Sequence, residues 1–388
     1  SVLETQGGLA CARALSAAQD ALIRHLFAFV TQRMFPVANP SSGETIAICA
    51  VGGYGRGTLA PGSDIDILFL LEHSTPWAES VAEAILYPLW DLGLKVGHAT
   101  RTIDECVKAA GGDITIRTAL LEARLLIGDT RLFEEFERRF DKEVVAGTAA
   151  EFVHAKLVER EQRVERAGSS RYLVEPNIKE GKGGMRDLQM LYWIAQYVYR
   201  IRTPGEMVKV GLFTGRELML YERCEEFLWR VRCHMHFATG RAEDRLNFEL
   251  QRTIADRLDY RMRGALSPVE RFMKHYFIVA KEVGDLTAVV AAALEVQEQK
   301  PVALFERIIG RFRRRRAIAG TRAFLNDNGR ITVADDDVFK SDPVNLMRIF
   351  WFAEKHQLLV HPDAGRLVSL SKRLVDKSLR ENPEANRL

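Results

Sequence analysis

The chain has 388 residues, a length that suggests two or three domains, each able to bury its own hydrophobic core. Hydrophobic residues make up 47% and charged residues 28% of the sequence, which excludes a fibrous or disordered chain. The formal net charge of only +3 argues against a protein that binds nucleic acid or a membrane surface through its overall charge. Any acidic partner must therefore be recognised locally.

The cysteines and the apolar runs predict the compartment. Five cysteines are scattered without a CxxC pair, which favours a reducing compartment over a disulfide framework, and we interpret them as small core residues. The N-terminus lacks a signal-peptide pattern, and the longest apolar run, residues 288–294, is too short to span a bilayer. The sequence predicts a cytoplasmic protein without a membrane partner.

The N-terminal part of the chain alternates between helical and strand patterns. Apolar periodicity predicts helices over residues 9–35, 77–91, 103–110 and 114–126. Short apolar runs bounded by turn residues predict buried strands over residues 46–51, 65–71 and 94–98. The first domain is expected to end near residue 145.

Strand patterns disappear in the next part of the chain. Long amphipathic stretches predict helices over residues 149–166, 185–201, 215–238 and 268–298. A glycine-containing loop, residues 169–184, interrupts them, and a hairpin near residues 326–329 with two helices is expected at the end. The predicted domains are residues 1–145, 146–300 and 301–388.

The most informative motif is VGGYGRGTLAPGSDIDILF, residues 51–69. Alternate strand residues share a face, so Asp64 and Asp66 are expected to project together while Ile65 and Ile67 face the core. A solvated strand end is the alternative, but two carboxylates inside an apolar run are costly unless a cation compensates them. Mg²⁺, with Mn²⁺ as a substitute, suits this pair and would serve phosphoryl or nucleotidyl transfer.

The glycines before the aspartates point to the same chemistry. Without Cβ atoms, Gly52, Gly53 and Gly55 would let backbone N–H groups approach a phosphate, and Arg56 could add a charged contact. Taken alone, the turn fits an ordinary tight turn equally well. The sequence contains neither a GxxxxGK[ST] loop nor a GxGxxG that opens a long helix, so other glycine-loop nucleotide sites are excluded.

The order of strand, glycine turn, spacer and DxD resembles the DNA polymerase β nucleotidyltransferase superfamily. The resemblance implies an α+β fold, a mixed sheet with helices followed by a mostly α-helical domain, in which Ser63 and the glycine turn hold the β and γ phosphates. A third carboxylate normally comes from a neighbouring strand, but Lys95 stands at that place here. Asp91 or Asp113 could supply it from a flanking segment, and His98 is either a ligand contact or a structural residue.

A second cluster, EPNIKEGKGGMRDLQ at residues 175–189, places cations beside glycines at a helix start, where free N–H groups favour an anion. The alternative is a solvated loop with Asp187 capping the helix. We assign to nucleotide binding Lys179, Lys182, Gly183, Gly184 and Arg186.

This loop resembles that of the bacterial protein-PII uridylyltransferase/uridylyl-removing enzymes, and residues 89–102, 119–129, 231–251 and 272–287 agree with that family. The resemblance implies a metal-dependent enzyme that transfers UMP from UTP to a tyrosine of the PII nitrogen-regulatory protein and releases pyrophosphate, with Asp64 and Asp66 as catalytic and metal-binding residues. The family adds an HD hydrolase domain and two sensing domains that are not found here, so uridylyl removal and glutamine sensing are expected to be missing.

Other functions stay open. A related adenylyltransferase acting on glutamine synthetase would share the first motif, and the missing third acid would fit a nucleotide-binding module without catalysis. An RNA nucleotidyltransferase is disfavoured by the small net charge. The motifs leave undetermined the base, the oligomeric state and the surface that binds PII.

Overall fold

The computed structural model describes residues 2–39, 41–167, 173–298, 316–327, 329–361, 364–365, 367–368 and 371–388. Two compact units divide the chain, Ser1–Thr287 and Ala288–Leu388. Residues 301–315 of the predicted third domain and residues 169–172 of the predicted loop lie outside the described residues. The three-part division of the chain stays a prediction.

A four-stranded mixed sheet forms the centre of the first unit. Its strands are β1 Ile46–Ala50, β2 Ile65–Leu71, β3 Val96–Thr102 and β4 Arg124–Gly128. The order across the sheet is β3-β2-β1-β4, with β1 antiparallel to both β2 and β4 and with β2 parallel to β3. The mixed sheet followed by a helical region confirms the predicted α+β fold.

Helices cover this sheet. They are α1 Val2–Gln6, α2 Gly8–Phe29, α3 Gly52–Gly55, α4 Pro76–Asp91, α5 Ile103–Gly112, α6 Ile114–Leu121 and α7 Thr130–Phe140. A π-helical turn, Val30–Met34, extends α2, so the helix predicted over residues 9–35 is confirmed. Apolar side chains of α2 and α4 join Ile48, Ile67 and Phe69 of the sheet in one core.

Two predicted elements are corrected by the structure. The third strand begins at Val96 and runs to Thr102, so Lys95 precedes it. The helix predicted over residues 114–126 ends at Leu121, and its last residues belong to β4. A short apolar run fits a strand and a helix equally well, and here pairing with β1 decides in favour of the strand.

The rest of the first unit is helical, as predicted. The helices are α8 Ala149–Arg166, α9 Met185–Tyr199, α10 Glu206–Lys209, α11 Gly215–Thr239, α12 Phe248–Arg257 and α13 Pro268–Glu298. The described part of the interrupting loop, residues 173–184, contains no helix or strand. All five cysteines are buried free thiols, which confirms their interpretation as core residues.

The second unit has its own small sheet and core. Its strands β5 Arg316–Ala317, β6 Phe324–Asp327, β7 Arg330–Val333 and β8 Leu359–Val360 lie in sequence order. Strands β6 and β7 are antiparallel, which confirms the predicted hairpin. Among the described residues of this unit the helices α14 Val338–Ser341, α15 Asn345–Lys355 and α16 Lys377–Arg380 accompany them. Within the described residues, no helix combines the length and the apolarity needed to cross a bilayer.

A buried carboxylate fixes the loop before α9. The side chain of Asp187 is 0% exposed and accepts hydrogen bonds from Arg160 Nε at 3.0 Å, Arg163 Nη2 at 2.7 Å and the backbone N–H of Gly183 at 2.8 Å. Three donors from two segments therefore meet at one carboxylate. Asp187 therefore holds α8 and the loop together at a buried position, and it is not a solvated helix cap.

We predict that Asp187→Ala lowers the free energy of unfolding by about 3–5 kcal/mol, because two cations and an amide lose their buried partner. Urea denaturation of the full chain measures this loss. The matched control is Glu135→Ala, which removes an exposed ion pair to Arg138 and should cost no more than about 1 kcal/mol. Equal unfolding midpoints for the two variants would contradict the structural role of Asp187.

Candidate active site

Strand β2 places Asp66 at the edge of the core, and Asp64 comes directly before the strand. Ile65 and Ile67 are buried in the core that α2 and α4 share with the sheet, so Asp66 points to the opposite face. Asp64 precedes the strand and is exposed, whereas Asp66 is partly buried. The expected core positions of Ile65 and Ile67 are confirmed, whereas Asp64 lies outside β2, so strand alternation does not fix its direction.

Asp66 occupies an electrostatically unfavourable place. Burial raises the pKa of Asp66, the charge of Asp64 raises it further, and the charge of Lys179 opposes both effects. A carboxylate in such surroundings is stabilised by a cation. This is the observation that makes the pair suited to Mg²⁺, which binds through one or two carboxylates together with substrate phosphates.

Gly97 leaves space for the Asp66 carboxylate because it has no side chain. It lies opposite Asp66 in the parallel register of β2 and β3, and a Cβ atom at this position would lie 2.5 Å from Asp66 Oδ1. Gly97 was not among the site residues predicted from the sequence. A glycine inside a predicted strand marks a close approach, and that signal could have identified it.

The glycine turn lies directly beside the aspartates. The N–H of Val51 donates to the backbone oxygen of Asp66 at 3.0 Å, and a Cβ on Gly52 would lie 3.5 Å from Asp66 Oδ2. Within the described part of the chain, the amides of Gly52, Gly53 and Tyr54 donate no hydrogen bond. Gly52 and Gly53 are partly exposed, so their amides are available to phosphate oxygens next to the carboxylates, whereas Tyr54 is fully buried.

Gly55 and Arg56 have a different role from the first two glycines. A Cβ on Gly55 would collide with the backbone oxygen of Glu122, so Gly55 allows close packing. Arg56 Nη1 donates to Glu122 Oε1 at 2.7 Å, and its guanidinium lies 5.7 Å from the ring centre of Trp193. The Glu122 side chain is only 1% exposed. Burial raises its pKa and Arg56 opposes that effect, so the arginine compensates a buried acid.

Ser63 is part of the spacer, residues 60–63, that precedes Asp64. The N–H of Ala60 donates to Ser63 Oγ at 3.0 Å, and the N–H of Ser63 donates to the oxygen of Ala60 at 2.9 Å. Because Ser63 Oγ acts here as an acceptor, its own hydroxyl proton remains for another partner. Ser63 thus precedes Asp64 in the chain with a hydroxyl proton that this turn does not use.

The loop before α9 uses most of its backbone amides internally. Asn177 Oδ1 accepts from the N–H groups of Lys179 at 3.0 Å and Glu180 at 2.7 Å. Gly183 donates to Asp187, and Gly184 donates to the oxygen of Gly181 at 2.9 Å. Cβ atoms at residues 183 and 184 would collide with neighbouring backbone oxygens. These glycines serve packing, and anion contacts from this loop fall to side chains.

The three cations of this loop lie in different surroundings. Lys179 is close enough to Asp66 to lower its pKa, while burial and the charge of Arg232 lower the pKa of Lys179 itself. Lys182 is partly exposed and has no ion pair with a described residue. Arg186 lies over Trp193, 5.4 Å from the ring centre. The structure therefore brings Lys179 to the aspartates and Arg186 to the indole that Arg56 also contacts.

No third acidic ligand joins the pair among the described residues, in which no group of three His, Cys, Asp or Glu side chains could hold a metal. Asp113 caps α6 and accepts from the N–H groups of Thr115 and Ile116. Asp91 is exposed at the end of α4. His98 is exposed, with its ring centre 5.7 Å from that of Trp90. The candidate metal ligands remain Asp64 and Asp66.

A cavity of about 850 Å³ lies beside the glycine turn but not at the carboxylates. Gly55, Arg56 and Glu122 contribute to its wall, whereas Asp64 and Asp66 do not. Burial raises the pKa of Glu225, another wall residue, to about 7. The cavity therefore lies against the Arg56–Glu122 ion pair, apart from the reacting centre that the aspartates define.

Three family models match the chain. A nucleotidyltransferase domain matches residues 39–125, GlnD PII-uridylyltransferase matches residues 151–291, and the uridylyltransferase GlnD third domain matches residues 324–388. The first match contains the glycine turn and both aspartates. The second contains the loop that carries Lys179.

Similar proteins occur in two bradyrhizobia. The chain is 55% identical over its whole length to the bifunctional uridylyltransferase/uridylyl-removing enzyme of Bradyrhizobium diazoefficiens, and equally to that of Bradyrhizobium sp. strain BTAi1. It spans 42% of the length of each of these curated relatives.

The pKa of Asp66 predicts a pH-dependent effect on stability. A carboxyl group whose pKa is raised on folding binds its proton more tightly in the native state, so it lowers stability as the pH rises through that pKa. We predict that Asp66→Asn is more stable than the wild type at pH 7 without metal. The difference should vanish as the pH falls to about 4, the ordinary aspartate value.

Urea denaturation between pH 4 and pH 8 in the presence of a chelator measures this effect. Asp91→Asn, at an exposed position, is the control and should change stability little at any pH. A stability difference for Asp66→Asn that is constant with pH, or that has the opposite sign, would contradict the assigned electrostatics.

Proposed function

The chain belongs to the PII-uridylyltransferase family, and on that premise we propose that it transfers UMP from UTP to a tyrosine of PII, releasing pyrophosphate. One observation carries the proposal. Lys179, inside the region matched by the PII-uridylyltransferase model, acts electrostatically on Asp66 inside the region matched by the nucleotidyltransferase model. Both matched regions thus contribute charge to one site.

The site's own residues account for substrate binding in this proposal. The free, partly exposed amides of Gly52 and Gly53 would bind phosphate oxygens, with the Ser63 hydroxyl as a further donor. Lys179 adds positive charge on the side of the helical region. Holding the triphosphate between these groups would align its α-phosphorus with the acceptor oxygen, as the bond to the leaving pyrophosphate requires.

We propose that Asp64 and Asp66 bind Mg²⁺ or Mn²⁺, because the raised pKa of Asp66 marks a carboxylate that a cation would stabilise. When bound, the cation would neutralise charge that builds on the leaving pyrophosphate. The buried free cysteines are compatible with the cytoplasm, which we propose as the location.

A second candidate is a nucleotide-binding module without catalysis, favoured by the lack of a third acidic ligand within the described residues. Metal-dependent UTP binding without pyrophosphate release would support this candidate.

Adenylyl transfer to glutamine synthetase shares the nucleotidyltransferase motif but requires ATP. Parallel assays with UTP and PII, and with ATP and glutamine synthetase, distinguish the two transfer reactions.

We predict that the double variant Asp64→Asn, Asp66→Asn loses transfer by about 1000-fold or more, because a metal contribution of several kcal/mol to the transition state is removed. Incubation with PII, Mg²⁺ and labelled UTP, followed by mass analysis of PII, measures the transfer. The control Asp91→Asn should keep wild-type activity. Undiminished transfer by a folded double variant would rule out the proposed role of the two aspartates.

A further inference from the structure

The spacer before the aspartates is held by a histidine of the helical region. The N–H of Gly62 donates to His236 Nδ1 at 3.2 Å, and His236 Nε2 lies 3.1 Å from Asp244 Oδ1. Because Nδ1 accepts a hydrogen bond, the ring proton is on Nε2 and is donated to Asp244. The His236 side chain is 0% exposed, so water does not compete for either contact.

Asp244 fixes this histidine from its other side. Arg232 donates to Asp244 through Nε at 2.8 Å and Nη2 at 3.4 Å. Although burial raises the pKa of Asp244, the hydrogen bonds from His236 and Arg232 hold it well below its usual range. The carboxylate is therefore ionised and accepts from both partners.

The segment that contains Asp244 also contacts the loop of Lys179. The backbone oxygen of Asp244 accepts from the N–H of Ile178 at 2.9 Å, and the N–H of Leu246 donates to the oxygen of Pro176 at 2.8 Å. A Cβ on Gly62 would lie 2.7 Å from the backbone nitrogen of Ala242, so residues 240–246 lie against the spacer before Asp64 as well as against the segment before Lys179. One short connection joins the two halves of the site.

We propose that His236 is a positioning residue for the reaction: through the N–H of Gly62 it sets the place of Asp64, two residues further on. The inference rests on the proposed function. Asp64 lies outside β2 and is exposed, so its place depends on the contacts of residues 60–63 rather than on sheet pairing. Within that segment the Ala60–Ser63 turn is local, whereas the bond from Gly62 reaches a side chain 174 residues away.

Three variants of the full chain separate positioning from simple packing. His236→Ala removes both hydrogen bonds, whereas His236→Asn keeps an acceptor at the position of Nδ1 and restores the Gly62 contact. His234→Ala is the matched control. His234 lies on the same helix, is 5% exposed, and its Nε2 has no hydrogen-bond partner among the described residues.

Transfer of UMP to PII is measured against Mg²⁺ concentration. We expect His236→Ala to lower kcat about 10- to 100-fold with little change in KM for PII, and to raise the Mg²⁺ concentration needed for half-maximal activity, since small misplacements of reacting groups have effects of that size. His236→Asn should recover most of both losses. His234→Ala should keep the wild-type Mg²⁺ dependence. Equal behaviour of the two alanine variants would overturn the proposal.

Hydrogen exchange gives a readout that does not depend on activity. Peptides that contain Gly62 should exchange faster in His236→Ala than in the wild type, and His236→Asn and His234→Ala should resemble the wild type. Unchanged exchange in His236→Ala would overturn the inference. If the wild type transfers no UMP, the proposed function fails, and the exchange pattern still decides whether His236 holds the spacer.

Discussion

The partly buried carboxylate of Asp66 is the constraint on which the site depends. Ile65 and Ile67 are buried in the core, and this determines which face of β2 each side chain is on. Asp66 could move to the other face only if these core residues moved to the surface. Burial and the nearby charge of Asp64 both disfavour its ionised form. Three features surround this carboxylate. Gly97 leaves space for it, the glycine turn beside it has free amides, and the charge of Lys179 lowers its pKa. This one unfavourable charge is the reason for proposing that a cation binds at the site.

The helical region takes part in the site through contacts that are costly to separate. Glu122, at the end of α6, is buried and paired with Arg56, and the Trp193 ring of α9 lies against that guanidinium. Removing either partner would leave an uncompensated buried charge, a cost of about 3–5 kcal/mol. Asp244 and His236 form a second buried connection, from α11 to the spacer. These contacts connect the sheet region to α9 and α11.

Local patterns were enough to predict the elements that carry the acids, but not their partners. The strand with Asp66, the helices α8 and α13, and the non-helical loop between α8 and α9 follow from periodicity and turn residues, which act over a few positions. Strand β4 was predicted as part of a helix because its short apolar run fits a helix and a strand equally well. Only pairing with β1 decides between the two. Glu122 lies 66 residues from Arg56 and His236 lies 174 residues from Gly62. Nothing local to either motif indicates such contacts.

The same limit explains why the glycines of one motif have different roles. Beside Gly53 a Cβ would meet only Nη2 of Arg56, at 3.4 Å, which is the end of a flexible side chain, whereas beside Gly55 a backbone oxygen fills the space and the glycine serves packing. In the loop before α9 the space beside Gly183 and Gly184 is filled, and their amides have partners inside the loop. In the proposed site the backbone donors therefore come from the glycine turn of the sheet region, while the helical region contributes the side chain of Lys179. The charge of one side chain has a defined position only if its loop has a fixed position. The hydrogen bonds from the loop of Lys179 to residues 240–246 fix that loop.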